Sequence, residues 1–223
     1  MCGRFTLTAG PVAVAERFGC LTGQIEFSPR YNVAPTQSVP VVLKADGSNR
    51  LKMMQWGLVP YWAKDKSIGS RLINARLETV AEKPAFRSSL SRRRCLVPAD
   101  GYYEWPKVGR SKLPMRIVLP SRELFALAGL WDVWQSPEGE QLFTFTILTT
   151  EPASSVRAIH NRMPVILPPE NEQLWLSNAF NSPDAIAALL SHLKPVEELE
   201  AYRVSTLVNN PANDSPECIA EVD

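Results

Sequence analysis

Residues 142–149 read LFTFTILT. Phe143, Phe145 and Ile147 fall on one face of an extended chain, and Thr144 and Thr146 on the other. Successive side chains of a strand point to opposite sides, so this alternation predicts a strand. Just upstream, Pro137, Glu138 and Gly139 predict a hairpin-type turn. Working outward, further strands are predicted at 39–44, 51–59, 94–98, 102–105, 114–119, 124–130, 163–167 and 202–206. Short turns join most of them, and they do not alternate regularly with helices, which disfavours a doubly wound parallel sheet. The expectation is an α+β fold: a single domain over 1–223 with curved, mostly antiparallel, barrel-like β-sheets and peripheral helices.

Helices are expected at five places. One follows Thr8, where Pro11, Val14, Ala15 and Phe18 keep helical spacing and Gly19 ends the run. A second spans 78–90, interrupted at Pro84. A short one is expected over 152–158 and another over 170–178. The last covers 183–193, capped by Ser182 and opened by Pro183, with Ile186, Leu189, Leu190 and Leu193 as its apolar stripe. Residues 26–38 and 60–71 read as loops, and Trp56-Gly57 as a bulge. A short extended piece at 72–73 leads into Asn74.

With 223 residues, 45% hydrophobic and 21% charged, the chain is long and apolar enough to bury a core and is not disordered throughout. No run of about 18 apolar residues offers a membrane span. The N-terminal MCGRFTLTAG lacks a basic stretch followed by an apolar one, so no signal peptide is expected. The expected location is cytoplasmic, nucleoid-associated if the source is bacterial. Cys2, Cys20, Cys95 and Cys218 form no C-x-x-C and no Cys/His cluster, so the expectation is free thiols and no metal. No Gly-rich phosphate loop is present, and no cofactor is expected.

The net charge of +1 argues at first against a nucleic-acid partner. Its distribution does not. Residues 1–116 carry 19 basic and 8 acidic side chains, whereas residues 117–223 carry 5 and 15. Such asymmetry fits an anionic partner, or two interleaved halves whose fields cancel. The basic half also interleaves Arg4, Lys64, Lys66, Arg71, Arg87, Arg92, Arg93 and Arg94 with Trp56, Tyr61, Trp62, Phe86, Tyr102, Tyr103 and Trp105. Cations beside stackable rings suit single-stranded nucleic acid, although several of these rings must be core.

Cys2 stands out chemically. A small residue at position 2 favours removal of Met1, which leaves an α-amine and a thiol on adjacent carbons, with pKa values of about 8 and about 8.5. An aldehyde condenses with the amine to an imine, and the thiol then closes a five-membered thiazolidine. The alternative is a second residue in an unstructured terminus. His160 lies in AIHNRMP beside polar neighbours, a position suited to acid/base work or to a structural histidine. His192 is off the apolar stripe and reads as solvated. Glu104, between Tyr103 and Trp105, is either desolvated with a raised pKa or an outward strand residue. Asn74 and Arg76 can orient a reacting group and grip phosphate, or act as a cap and a surface charge.

Six segments in order, MCGRF at the N-terminus, RYNVAP at 30–35, WGLVPYW at 56–62, INAR at 73–76, RCLVPADGYYEW at 94–105 and IHNRMP at 159–164, together resemble the SRAP family, the SOS-response-associated peptidase-like or abasic-site-processing proteins. The resemblance implies a protein that loses Met1, binds single-stranded DNA and reacts with the ring-opened aldehyde of an abasic site. The product is a thiazolidine DNA–protein crosslink that shields the lesion. It implies Cys2 as nucleophile, Asn74 as an orienting residue, and Glu104 and His160 as the acid/base pair. Arg76 and Arg162 match phosphate-contacting positions, and Arg4 and Trp62 are carried over with them as DNA-binding residues. Three other readings compete: a cysteine peptidase using Cys2 and His160, a non-catalytic single-strand-binding module, and a housekeeping domain whose Cys2 is incidental. Nothing demands more than a monomer.

Overall fold

A computed structural model describes residues 2–21, 25–193 and 196–223. Met1, whose removal the sequence reading expects, lies outside the described residues. In chain order the strands are β1 (Phe5–Leu7), β2 (Arg30–Val33), β3 (Ser38–Ala45), β4 (Ser48–Trp56), β5 (Asn74–Arg76), β6 (Arg94–Ala99), β7 (Gly101–Glu104), β8 (Lys107–Val108), β9 (Ser111–Lys112), β10 (Met115–Val118), β11 (Phe125–Gln135), β12 (Gln141–Thr150), β13 (Met163–Pro164), β14 (Ile166–Leu167) and β15 (Glu200–Arg203). The helices are α1 (Pro11–Arg17), α2 (Pro84–Arg92), α3 (Pro169–Leu176) and α4 (Pro183–His192), with 3₁₀ turns at Lys66–Arg71, Thr206–Asn209 and Pro216–Cys218.

The 142–149 segment is the centre of β12, and β12 closes a barrel. It pairs antiparallel with β11 across the hairpin and parallel with β4, with Phe145 opposite Trp56. β4 pairs with β3, β3 with β6 and β6 with β11, so five strands form a ring. Alternation along these strands sorts side chains into two cores. Val39, Val41, Met54, Trp56, Cys95, Val97, Leu127, Phe145 and Ile147 form one cluster. Val42, Leu51, Leu96, Ala126, Ala128, Leu130 and Leu148 point the other way and pack with Val14, Phe86, Leu90, Trp175, Ile186 and Leu189 from the four helices. Both faces of the barrel wall are thus covered, which is why Thr144 and Thr146 are buried rather than solvated.

A second, wholly antiparallel sheet has the order β15-β10-β7-β1-β2. Phe5, Val33, Tyr102 and Ile117 from this sheet join the first core cluster. At one end of β1, a buried knot fastens it. Asp100 accepts hydrogen bonds from Thr6 Oγ1 (2.5 Å), from the Thr8 backbone N–H (2.6 Å) and from Arg116 Nη2 (2.9 Å). These bonds offset the cost of burying the two charges, although Arg116 Nε has no partner among the described residues.

Several local expectations are corrected. Pro84 opens α2 rather than interrupting a longer helix; the first helical position needs no N–H donor, so proline fits there. Residues 152–158 form turns and no helix: Val156 N–H bonds Ala153 O, Ile159 N–H bonds Val156 O, and the Ala153 N–H is engaged by Met163 Sδ. So short a segment has too few turns to hold a helix without tertiary help. Within the expected loop 26–38, β2 forms. Asp214 accepts from the N–H groups of Tyr31 and Asn32, a partner about 180 residues away that local pattern cannot reveal. Gly57 ends β4 instead of bulging it. Its φ is 121°, and a Cβ there would lie 2.7 Å from the Gly69 carbonyl oxygen, so the position needs glycine. β1, β8 and β9, each of two or three residues, have no counterpart in the expectation; the remaining strands, and α1, α3 and α4, fall within about five residues of it, with Ser182 capping α4 through Ala185 N–H. Among the described residues, no helix is long and apolar enough to cross a membrane.

Candidate active site

Four segments far apart in sequence bring Cys2, Asn74, Glu104 and His160 to one place, where the second sheet meets the barrel. The pairing of β1 with β7 starts it. Phe5 faces Tyr102, and the Tyr103 N–H donates to Arg4 O. Continuing that register carries Glu104, at the end of β7, to the Cys2 end of β1. Asn74 comes from the barrel side. β5 runs parallel to β12 with Asn74 opposite Ile147. The preceding carbonyl, of Ile73, is held by Trp56 Nε1 at 2.8 Å and by the Ile147 N–H. From this fixed peptide, Asn74 Nδ2 donates to Cys2 O at 2.7 Å. The amide thereby fixes the residue expected to react.

Cys2 is fully buried. Its thiol lies 3.8 Å from Arg4 O, and burial, reinforced by the nearby Glu104 carboxylate, pushes the thiol pKa well up. Glu104 is also buried, with a side chain 6% exposed. The sequence left open whether it faced inward; it does, and burial raises its carboxyl from the usual carboxylate range to about 7. A group with that pKa can both give and take a proton near neutrality.

His160 sits in the turn before β13, with Nε2 3.8 Å from Glu104 Oε2. Its Nδ1 accepts from the Arg162 backbone N–H at 3.0 Å, and the Arg162 carbonyl oxygen lies 3.1 Å away. With Nδ1 accepting from that N–H, a neutral ring carries its proton on Nε2, the nitrogen nearer Glu104; with its proton on Nδ1, it donates to the carbonyl. A charged ring likewise donates Nδ1–H to the carbonyl. Burial lowers the imidazole pKa, which favours the neutral form at pH 7.

The residues expected to contact DNA are placed differently from one another. Arg76 is exposed. Trp62 is half-exposed beside the exposed Tyr61. Arg4 is turned to the C-terminal segment: its Nη1 donates to Asn32 Oδ1 and Val208 O, each at 2.7 Å, and the guanidinium lies over Trp105. Arg162 is clamped. Nη1 and Nη2 donate to the two Glu78 carboxylate oxygens at 2.7 and 2.9 Å, and Nη2 also to Thr149 O at 2.5 Å. His192 is exposed on α4, as read.

Sequence reasoning missed two neighbours. Tyr102 shares the face of β7 that carries Glu104, is fully buried, and feels the Cys2 and Glu104 charges. Its hydroxyl has no partner among the described residues. The i, i+2 spacing from Glu104 on a predicted strand was a usable signal. Glu78 gave none, because its partner Arg162 is 84 residues away.

A family description, SOS response associated peptidase (SRAP), matches residues 1–211. The abasic site processing protein YoqW of Bacillus subtilis (strain 168) is 47% identical over 222 residues, covering 98% of this chain and 99% of that protein. The abasic site processing protein HMCES of Xenopus tropicalis is 34% identical over 228 residues, covering 88% of this chain and 67% of that protein. A crystal structure of a protein from Bacteroides thetaiotaomicron superposes with a TM-score of 0.85 at 29% identity, over 99% of this chain and all of that one. With the motifs of 1–167 and the Cys2–Asn74–Glu104–His160 cluster, these likenesses place the chain in the SOS response associated peptidase (SRAP) family.

Proposed function

We propose that this chain, acting as a single domain over 1–223, processes abasic sites in single-stranded DNA by crosslinking itself to the lesion through Cys2 after loss of Met1. The relatives' abasic-site-processing names support the coarse reading. The observation that carries the finer one is the convergence of a residue-2 cysteine, an amide bound to its carbonyl, and a carboxyl–imidazole pair 3.8 Å apart.

The chemistry runs in two stages. The Cys2 α-amine attacks C1′ of the ring-opened sugar, forming a C–N bond, and water leaves to give an imine. The Cys2 sulfur then adds to the imine carbon while the thiol proton ends on nitrogen, closing the thiazolidine. Ring closure is intramolecular and so enjoys a high effective concentration. His160 donates from Nε2 to the sugar oxygen during ring opening, and Glu104 relays the protons of dehydration and closure. Asn74 holds Cys2 by its carbonyl throughout. Arg76, Arg162, Arg4 and Trp62 are the residues proposed to bind the strand, by phosphate pairing and base stacking.

The raised Cys2 thiol argues for this order. A cysteine peptidase needs a thiolate activated by its histidine, whereas here burial pushes the Cys2 thiol pKa up. The test is a denaturing gel of the Met1-processed protein with single-stranded oligonucleotides that contain or lack one abasic site. A heat-stable shifted band is expected with the abasic strand alone. Its absence, with mass spectrometry showing Met1 removed, would sink the reading. Cleavage of a peptide panel would favour the peptidase, and a reversible shift of both strands a binding module.

A further inference from the structure

We infer that Glu78 is a positioning residue: by clamping Arg162 it holds the turn that presents His160 to Glu104. The inference rests on the crosslinking role proposed for His160.

His160 lies at the end of a segment, 151–162, that contains no helix or strand. Regular pairing resumes only at β13. Between them stands Arg162, whose side chain is 15% exposed and Glu78's 46%. The pair is bidentate, at 2.7 and 2.9 Å, and Thr149 O on β12 takes a further Nη2 hydrogen bond. Fork-on-fork pairing fixes the guanidinium plane as well as its distance. The same residue's backbone N–H and carbonyl both face His160 Nδ1, so the placing of Arg162 governs the balance of His160 tautomers. Glu78 therefore reaches His160 through one residue, from side chain to main chain. Arg162 draws the Glu78 carboxyl below the usual carboxylate range, with a smaller pull from the nearby Arg76, so it stays charged at working pH.

This arrangement separates Glu78 from both a surface ion pair and a DNA contact. A surface pair would leave the imidazole untouched. A carboxylate between two cations proposed to bind phosphate opposes DNA binding, so removing it should not weaken binding. Loss of Glu78 is thus expected to split the two functions: chemistry slows while affinity for the strand holds or rises.

The test uses Glu78→Ala and Glu78→Gln beside the wild type. Three quantities are measured: the crosslinking rate at saturating abasic oligonucleotide, the affinity for the same strand without the lesion, and the histidine ¹⁵N spectrum. The chain has two histidines, so the spectrum is simple, and exposed His192 serves as internal reference. The wild-type His160 is expected as the Nε2–H tautomer. Glu78→Ala should mix the tautomers and lower the saturating rate about tenfold, since small misplacements of catalytic groups are costly, without loss of affinity. Glu78→Gln, which keeps one hydrogen bond to Arg162, should fall between and carries the test if the alanine variant does not fold. A wild-type tautomer in both variants overturns the proposal, as does a wild-type rate in both. If the wild type itself forms no crosslink, the functional reading fails, while the tautomer still decides the role of Glu78.

Discussion

The closed barrel and the five-stranded sheet are built by opposite means. The barrel ring is held by apolar layers on both faces of its wall, with Trp56 and Phe145 stacked at 6.4 Å in one of them. The sheet is short-stranded and fastened by polar bonds: Asp100 with Arg116 and Thr6, Asp214 with the β2 backbone, Tyr103 Oη with Tyr31 O. The site takes Cys2 and Glu104 from the sheet side, Asn74 and His160 from the barrel side. An apolar ring tolerates many sequences of similar volume, whereas a polar fastening fixes angle and register and fails when one partner goes. The proposed reactive pair sits on the half where register is specified by hydrogen bonds.

The sharpest break of this division removes a sheet-side group. Cys2→Ala is expected to abolish the heat-stable adduct, and Cys2→Ser to leave only a borohydride-trappable imine, read on the same denaturing gel. Next, Arg116→Ala strands Asp100 in the sheet, which should cost about 3–5 kcal/mol in urea unfolding. A shift within about 1 kcal/mol would mean the knot does not hold the sheet. Glu104→Gln keeps the fold and should slow crosslinking by about 10²–10³-fold; an unchanged rate would remove it from the proton relay.

The carboxyl also predicts a pH effect of defined sign. Its folded pKa is raised, from 4.5 to about 7. Its contribution is therefore fully present below pH 4.5 and is lost as pH rises through 7, because ionising it in the folded state is the costly step. Across that window the wild type should lose up to about 3 kcal/mol relative to Glu104→Gln. Parallel stability curves for the two would contradict the burial argument. The smallest expected effect is Tyr102→Phe. Removing an orphan buried hydroxyl should stabilise the fold by about 1 kcal/mol, seen as a raised urea midpoint. Destabilisation would mean that the hydroxyl has a partner in solution.

Much of this was legible in the chain, for reasons specific to particular residues. The alternation of Phe143 to Ile147, the Pro-opened starts of α1 and α4 and the Ser182 cap are local, and each fell where local rules put it. Barrel closure was readable only as curvature, because the pairing of β12 with β4 joins Phe145 to Trp56 across 89 residues. The site residues were named from motif order together with their chemistry. What composition could not supply was the burial of Glu104, since a carboxylate between aromatics fits either face. Nor could it supply the engagement of Arg4 with Val208 and Arg162 with Glu78, which turns two residues expected to bind DNA into groups that already have partners.

The contact between Arg4 and Val208 has a consequence in time. It spans 204 residues, so Arg4, the residue before β1, cannot complete its contacts until nearly the whole chain exists. At synthesis rates of about 5–20 residues per second, Arg4 waits on the order of 10–40 s for that partner. During this interval the N-terminal segment cannot be sealed in its final setting, and the removal of Met1 proposed here would meet an open chain. The long-range fastening thus acts as a clock for the N-terminal segment, whose Arg4 is seated only at the end of synthesis.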